Sequence, residues 1–227
     1  MKILITSGGT AEKIDDVRSI TNSSTGRLGC AIAEAFAAQA PDAQIFYVCG
    51  KNAARPRINA EIIEIDNVAS LQLAIVQLFE GSCTIDIIIH AMAVSDYRVK
   101  AVSTPDGVYQ VQDMEGKVSS SYDEITLHLE RVPKIIGMLR RLAQKSTIVG
   151  FKLLSNVPRG TLLDAGYALL MKNDCDFVLA NDAAEILGDK EHKGYLIDRC
   201  GKYSEYGTKA EIARGIVETI LKHRRGE

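Results

Sequence analysis

The chain has 227 residues, 46% of them hydrophobic and 25% charged, with a formal net charge of -2 and a pI near 6.1. These values exclude a disordered, collagen-like or coiled-coil chain and argue against broad non-specific nucleic-acid binding. The length suits one α/β unit, and no apolar run approaches the ~18–20 residues that cross a membrane.

Five cysteines, at positions 30, 49, 83, 175 and 200, form no CxxC pair and are odd in number. Scattered single cysteines fit reduced thiols in a cytoplasmic protein, and the four dispersed histidines give no zinc pattern.

In chain order, Ile3-Leu4-Ile5 reads as a buried strand, and a polar loop follows to Gly26. Leu28, Ala31, Ile32, Ala35 and Phe36 have helical spacing, ended by Pro41-Asp42. Ile45–Val48 and Glu61–Ile65 are strands, and Val68, Leu71, Ile75 and Leu78 share a helix face before the apolar strand 86–89. The segment 99–124 is polar and long for a connection. It is either a lid or a surface excursion carrying a small hairpin. Residues 125–129 alternate as a half-exposed strand, and Pro133 is placed as the first residue of a helix. A strand at 147–151, a helix at about 159–172 and a strand at 177–179 follow. A hairpin across 195–203 and a helix with Ile212, Ile216 and Ile220 on one stripe complete the chain. Alternating strands and helices predict an α/β fold: a Rossmann-like three-layer sandwich with a mostly parallel central sheet and a small antiparallel hairpin or flap extension.

In such a sheet, ligands bind beyond the carboxyl ends of the strands. Small residues after the first strand, Ser7-Gly8-Gly9-Thr10, admit close backbone approach. The run Ser23-Ser24-Thr25-Gly26 precedes the first helix and suits either an anion or ordinary Ser/Thr capping. There is no GxxxxGK[ST] and no GxGxxG. Asp96 can accept hydrogen bonds from a sugar or base, or pair with Arg98. Lys117, beside Gly116, is either a loop lysine that closes over phosphates or a solvated surface lysine. His90 reads as a packed strand-end residue, and His128 as pointing out of its strand. A literal YxxxK at Tyr47–Lys51 leaves a nicotinamide-dependent NAD(P) reductase as an alternative, and a flavin-binding module as another.

Taken together, the motifs resemble those of the phosphopantothenoylcysteine synthetases, the phosphopantothenate–cysteine ligases of the DNA/pantothenate metabolism flavoprotein family. Residues 7–26 resemble the family's TxGxTxExID-VR-I-N-SSG signature, Ala93-Val94-Ser95-Asp96-Tyr97 its AVADY element, and Gly116-Lys117-Val118-Ser119-Ser120 its lysine-led flap. Arg131–Ile136 resembles NPDIV, and Val149-Gly150-Phe151 and Ala180-Asn181-Asp182 resemble VGF and AND. The resemblance runs in order along essentially the whole chain.

It implies a ligase that activates 4′-phosphopantothenate with CTP or ATP and Mg²⁺ as an acyl-nucleotidylate, then joins it to L-cysteine. It also implies a cytoplasmic homodimer, with no flavin, nucleic-acid or membrane partner. By resemblance, Asn22 stabilises the acyl-nucleotidylate and its conversion, and Arg18 binds substrate or positions its loop. Ser24 and Gly26 lie at the phosphates. Asp96 faces the nucleoside, with Ala91 and Met92 lining its pocket. Pro133, Lys134, Ile135 and Ile136 contact the nucleotide, Phe151 packs on it, and Lys117 is the closing flap lysine. The excursion at 97–124 reaches toward a partner's site. The metal ligands are not identified.

The chain departs from the family pattern where the flap reads Lys117-Val118-Ser119-Ser120 and where Pro133-Lys134 replaces Pro-Asp. Lys172 stands near one phosphate-approaching lysine position, and Lys152 replaces an alanine. With ligase motifs spanning residues 1–227, the chain reads as a single, free-standing ligase unit.

Overall fold

The computed structural model describes residues 1–80, 84–113, 115–187 and 191–226; Cys83 lies outside them. In chain order the elements are β1 (Lys2–Ser7), β2 (Ala11–Lys13), β3 (Ser19–Thr21), α1 (Arg27–Gln39), β4 (Gln44–Gly50), β5 (Glu61–Ile65), α2 (Val68–Glu80) and β6 (Ile87–His90). There follow β7 (Tyr97–Thr104), β8 (Gly107–Gln110), β9 (Thr126–Arg131), α3 (Ile135–Leu142), β10 (Thr147–Leu154), α4 (Arg159–Lys172) and β11 (Phe177–Asp182). The remainder are β12 (Ile186–Leu187), β13 (Glu191–His192), β14 (Gly194–Asp198), β15 (Tyr203–Tyr206) and α5 (Lys209–Arg225).

The central sheet has the order β15-β14-β11-β10-β6-β1-β4-β5. Its six strands from β11 to β5 are parallel, and β14 and β15 add an antiparallel edge. The period-2 alternation of a strand decides which helix each residue meets. Ile3 and Ile5 face α1 and α5, where they pack with Ile32, Phe36, Ile212 and Ile216. Leu4, between them, faces the opposite layer and packs with Leu71, Ile75 and Leu139 from α2 and α3. Both faces are thus covered, which is why β1 and β6 read as unbroken apolar runs rather than as alternating ones. Among the described residues, no helix is long and apolar enough to cross a membrane.

Two expectations needed correction. The stretch read as a polar loop up to Gly26 contains the β2–β3 hairpin, whose strands are too short to show a period. Pro133 is not the first helical residue: α3 starts at Ile135, with Lys134 extended at its N-cap. The expected small hairpin in 99–124 is β7–β8, and β7 pairs on its other side with β9, the half-exposed strand read at 125–129, making a separate three-stranded sheet. Its Val99 and Val102 form a small core with Val118, joined by Ile14, Tyr122 and Leu127.

Candidate functional site

The crevice lies beyond the carboxyl ends of β1, β6 and β10, where the sheet order reverses direction about β1. Backbone bonds zip the loops after β1 and β6 together. Ala91 N donates to Thr6 O at 3.0 Å, Ala93 N to Gly8 O at 2.8 Å, and Thr10 N to Ala93 O at 3.2 Å. Ser95 N donates to Thr10 Oγ1 at 2.9 Å, and the two hydroxyls are 2.9 Å apart. Gly9 is required here, since a Cβ at that position would sit 2.4 Å from the Asn22 carbonyl oxygen. That close approach carries Asn22 over the strand ends.

At the start of α1 the N-cap residue is Gly26, left-handed at φ 70°, with no side-chain cap. The Ser/Thr contact to the first helical N–H is long, Arg27 N donating to Thr25 Oγ1 at 3.5 Å. A Cβ on Gly26 would come within 3.0 Å of Ala53 Cβ and Ser7 Oγ, and Ser7 Oγ donates to the Gly26 carbonyl at 3.0 Å.

A cavity of about 870 Å³ opens in the crevice. Asn22, Met92, Asp96, Lys134, Ile135, Ile136 and Phe151 line it together, so seven of the sequence-predicted site residues converge. Asp96 pairs with Lys134, not with Arg98, which binds Glu130 at 2.6 Å. Lys152 and Lys172 also line the wall. With three lysines against one carboxylate, the cavity is positive and suits a polyanion. His90 lines it as well; burial pushes its pKa down to about 4, so the ring is neutral at pH 7, with Nδ1 2.8 Å from Thr6 Oγ1.

The remaining predicted residues stand elsewhere. Ser24 lines a smaller neighbouring cavity, Gly26 is buried at the helix start, and Ala91 packs toward the α1–α5 layer. Pro133 lines a separate groove with Arg98 and Lys13. Lys117 is exposed among Tyr109, Ser119 and Tyr122. Arg18 is committed to Asp15, donating from Nε at 2.9 Å and from a terminal nitrogen at 2.5 Å, and it also donates to Val118 O at 2.7 Å. Burial alone would raise the Asp15 carboxyl. Arg18 and the backbone N–H groups of Val17, Arg18 and Val118 outweigh it and hold that carboxyl well below the usual carboxylate range.

The α4 wall was anticipated only through Lys172, placed near a phosphate-approaching position; Ala165 was not singled out. Ala165, Ala168, Leu169 and Lys172 all face the cavity, and their i, i+3, i+4, i+7 spacing was the available signal. Asp182 proves structural: its oxygens accept from Asn156 N and Ala184 N, both at 2.8 Å, and Val157 N at 2.9 Å. The YxxxK pattern forms no catalytic pair, since Tyr47 Oη donates to Ala54 O at 2.9 Å and Lys51 pairs with Asp66 at 2.7 Å. Among the described residues, no group of three His, Cys, Asp or Glu could hold a metal ion.

A doubly wound sheet with a positively charged crevice at its reversal point defines an α/β protein with a strand-end ligand site. The comparisons narrow this. The chain belongs to the family described as the DNA/pantothenate metabolism flavoprotein C-terminal domain, whose model matches residues 1–223. It is 31% identical over 97% of its length to a coenzyme A biosynthesis bifunctional protein of Methanocaldococcus jannaschii, of which the match covers 50%. The chain thus spans about half the length of the curated relatives it matches. A crystal structure of the DNA/pantothenate metabolism flavoprotein from Streptococcus pneumoniae superposes with a TM-score of 0.84 at 33% identity, covering 98% of this chain and 99% of that one. A Cab2 mutant in complex with phosphopantothenate-cysteine has the same fold, with a TM-score of 0.69 at 16% identity over 99% of this chain and 88% of that one.

Proposed function

We propose that this chain is a phosphopantothenate–cysteine ligase of coenzyme A biosynthesis. The observation that carries the reading is a positive cavity in which Asn22, Asp96, Lys134 and Phe151 converge, in a chain matched to its family from residue 1 to 223.

A carboxylate resists attack by an amine, so one of its oxygens must first become part of a leaving group. The carboxylate of 4′-phosphopantothenate attacks the α-phosphorus of CTP or ATP and releases pyrophosphate. The cysteine amine then attacks the acyl carbon and releases the nucleoside monophosphate. Met92, Ile135, Ile136 and Phe151 supply the apolar wall for the nucleoside, with Asp96 and Lys134 at its polar edge. Lys152 and Lys172 neutralise phosphate charge, and Mg²⁺ enters as the counter-ion of the triphosphate. The Asn22 amide donates to the negative charge that develops on the acyl-nucleotidylate, acting as a fixed dipole.

Arg18 positions the loop that anchors the flap, and Lys117 closes over the intermediate when the flap moves. Residues 1–227 act as one ligase unit, with the excursion at about 97–124 meeting a partner. The exposed Val108, Tyr109 and Leu129 on the flap sheet support a homodimer, and the coenzyme A biosynthesis relatives support a cytoplasmic enzyme.

The test is pyrophosphate release from 4′-phosphopantothenate, L-cysteine and Mg²⁺ with CTP or ATP. Absence of release with every nucleotide overturns the reading. Asn22→Asp is expected to form the acyl-nucleotidylate yet to slow its capture by about 10²-fold, the scale of losing one preorganised donor. Normal turnover by that variant removes the role given to Asn22.

A further inference from the structure

Asn22 stands between two cavities. Thr21 and Asn22, at the end of β3, line the large one and also a second cavity of about 290 Å³ over the carboxyl ends of β4 and β5. The frame of the second cavity is backbone. A Cβ on Gly50 would lie 2.4 Å from the Gly9 carbonyl oxygen, and Ala11 N donates to Asp66 O at 2.7 Å, holding the β2–β3 hairpin against the end of β5.

We propose that this second cavity binds the amino-acid co-substrate as a zwitterion and presents its amine to the acyl-nucleotidylate beside Asn22; the proposal rests on the ligase reading above. Size is the first argument. The volume falls at the bottom of the ~300–1,000 Å³ range of small-molecule sites, so it suits an amino acid and not a nucleotide.

Charge is the second. Lys51 Nζ lies 2.7 Å from Asp66 Oδ1, and Lys13 lines the same cavity without an ion pair among the described residues. Both signs are therefore displayed together: lysine for a carboxylate, Asp66 for an ammonium. The third argument is the apolar patch of Ala11, Ala53 and Ile65, which leaves room for a short, weakly polar side chain such as CH₂SH. The fourth is the shared wall, since an amine seated here has only the β3 end between it and the larger cavity.

In the step itself, the amine nitrogen forms a bond to the acyl carbon. The acyl C–O bond to the nucleotide phosphate breaks, and its electron pair leaves with the nucleoside monophosphate. The two protons lost from the ammonium pass to water.

Lys51→Gln and Asp66→Asn test the site. Asp66 bonds to Ala11 and Ser70 through its backbone, so its amide variant keeps those contacts. Each variant is expected to raise the KM for cysteine about tenfold, while the KM values for nucleotide and phosphopantothenate stay within about twofold. Cysteamine, which lacks the carboxylate, separates the two roles. Lys51→Gln should narrow the preference for cysteine over cysteamine about tenfold, and Asp66→Asn should leave it in place.

An unchanged cysteine KM, or a raised nucleotide KM, overturns the proposal. A titration with unreactive L-serine, followed by amide NMR of the full chain, reads binding without turnover. Shifts confined to residues around Asn52 and Ala53 in a chain that releases no pyrophosphate would defeat the ligase reading and keep this site. Turnover without such shifts would do the reverse.

Discussion

The main sheet and the flap sheet are stabilised differently. In the main sheet Ile3, Leu4, Ile5, Ile87, Ile88 and Ile89 are all fully buried between two helical layers. The flap sheet β8-β7-β9 has one small core, around Val102, and leaves Tyr109 and Leu129 exposed. Its attachment to the body adds to the Ile14 contact a set of polar bonds: Val118 N donates to Asp15 Oδ2 at 3.1 Å, Gly116 N to Asp16 Oδ2 at 2.8 Å, and Arg18 bridges Asp15 and Val118. A reaction centre needs side chains held on rigid elements, and a closing segment needs contacts that can be exchanged. Apolar burial supplies the first here, and hydrogen bonds to two aspartates supply the second.

The largest expected effect separates the two regions directly. Ile88→Ala empties a fully buried position in the body and should cost about 2–5 kcal/mol of global stability, seen in urea unfolding. Val102→Ala should instead raise amide exchange in 97–131 while moving the global midpoint far less. Equal shifts of that midpoint for both variants would show the regions to be one cooperative unit.

Acid divides them next. His90 and His192 have native pKa values pushed down to about 4: His90 by burial, His192 by burial and then the Lys209 charge. The unfolded chain takes up those protons near pH 6.5, so their contribution is full above pH 6.5 and is lost as the pH falls toward 4. At about 1.4 kcal/mol per pH unit, each histidine accounts for up to roughly 3 kcal/mol. Asp15 acts in a lower window. Its carboxyl is depressed, so its contribution is full above its unfolded value near 3.9 and disappears only below that. Between pH 6 and 4 the body should weaken while the flap contact persists, as read by thermal melts beside amide exchange at 116–118. Loss of flap protection first would reverse the assignment.

Asp15→Asn is the smallest of these. It keeps the side-chain shape and removes the charge that Arg18 and three N–H groups share, for about 1–3 kcal/mol, felt mainly as faster proteolysis near 104–122. Since Arg18 is about a third exposed, water recovers part of its loss. Unchanged proteolysis would mean that the apolar core around Val102, not Asp15, holds the flap.

The pattern of success in the sequence reading follows the same division. β1, β6, α2 and α5 were legible because each buries a continuous face, which prints a run or a helical period on the chain. The hairpin β2–β3 was not, because three-residue strands are too short to carry a period. Of the flap strands, β9 was legible as a half-exposed alternation, whereas β7 was hidden, with Tyr97, Arg98 and Lys100 mixed among Val99 and Ala101. Within the site, Met92 and Asp96 reach the cavity from the loop after β6, and Phe151 reaches it from within β10. Pro133 and Ser24, placed by motif alone, line other surfaces.

The sequence by itself determined the doubly wound sheet, the strand-end location of the crevice and the family resemblance, because burial period and local motif are properties of neighbouring residues. Only the tertiary structure decided that Asp96 takes Lys134 as its partner, that Arg18 anchors the flap 100 residues away, and that Asn22 faces two cavities. Those are contacts between segments distant in the chain, set by the close approach of Gly9 to Asn22 and of Gly50 to Gly9, and no local pattern encodes them.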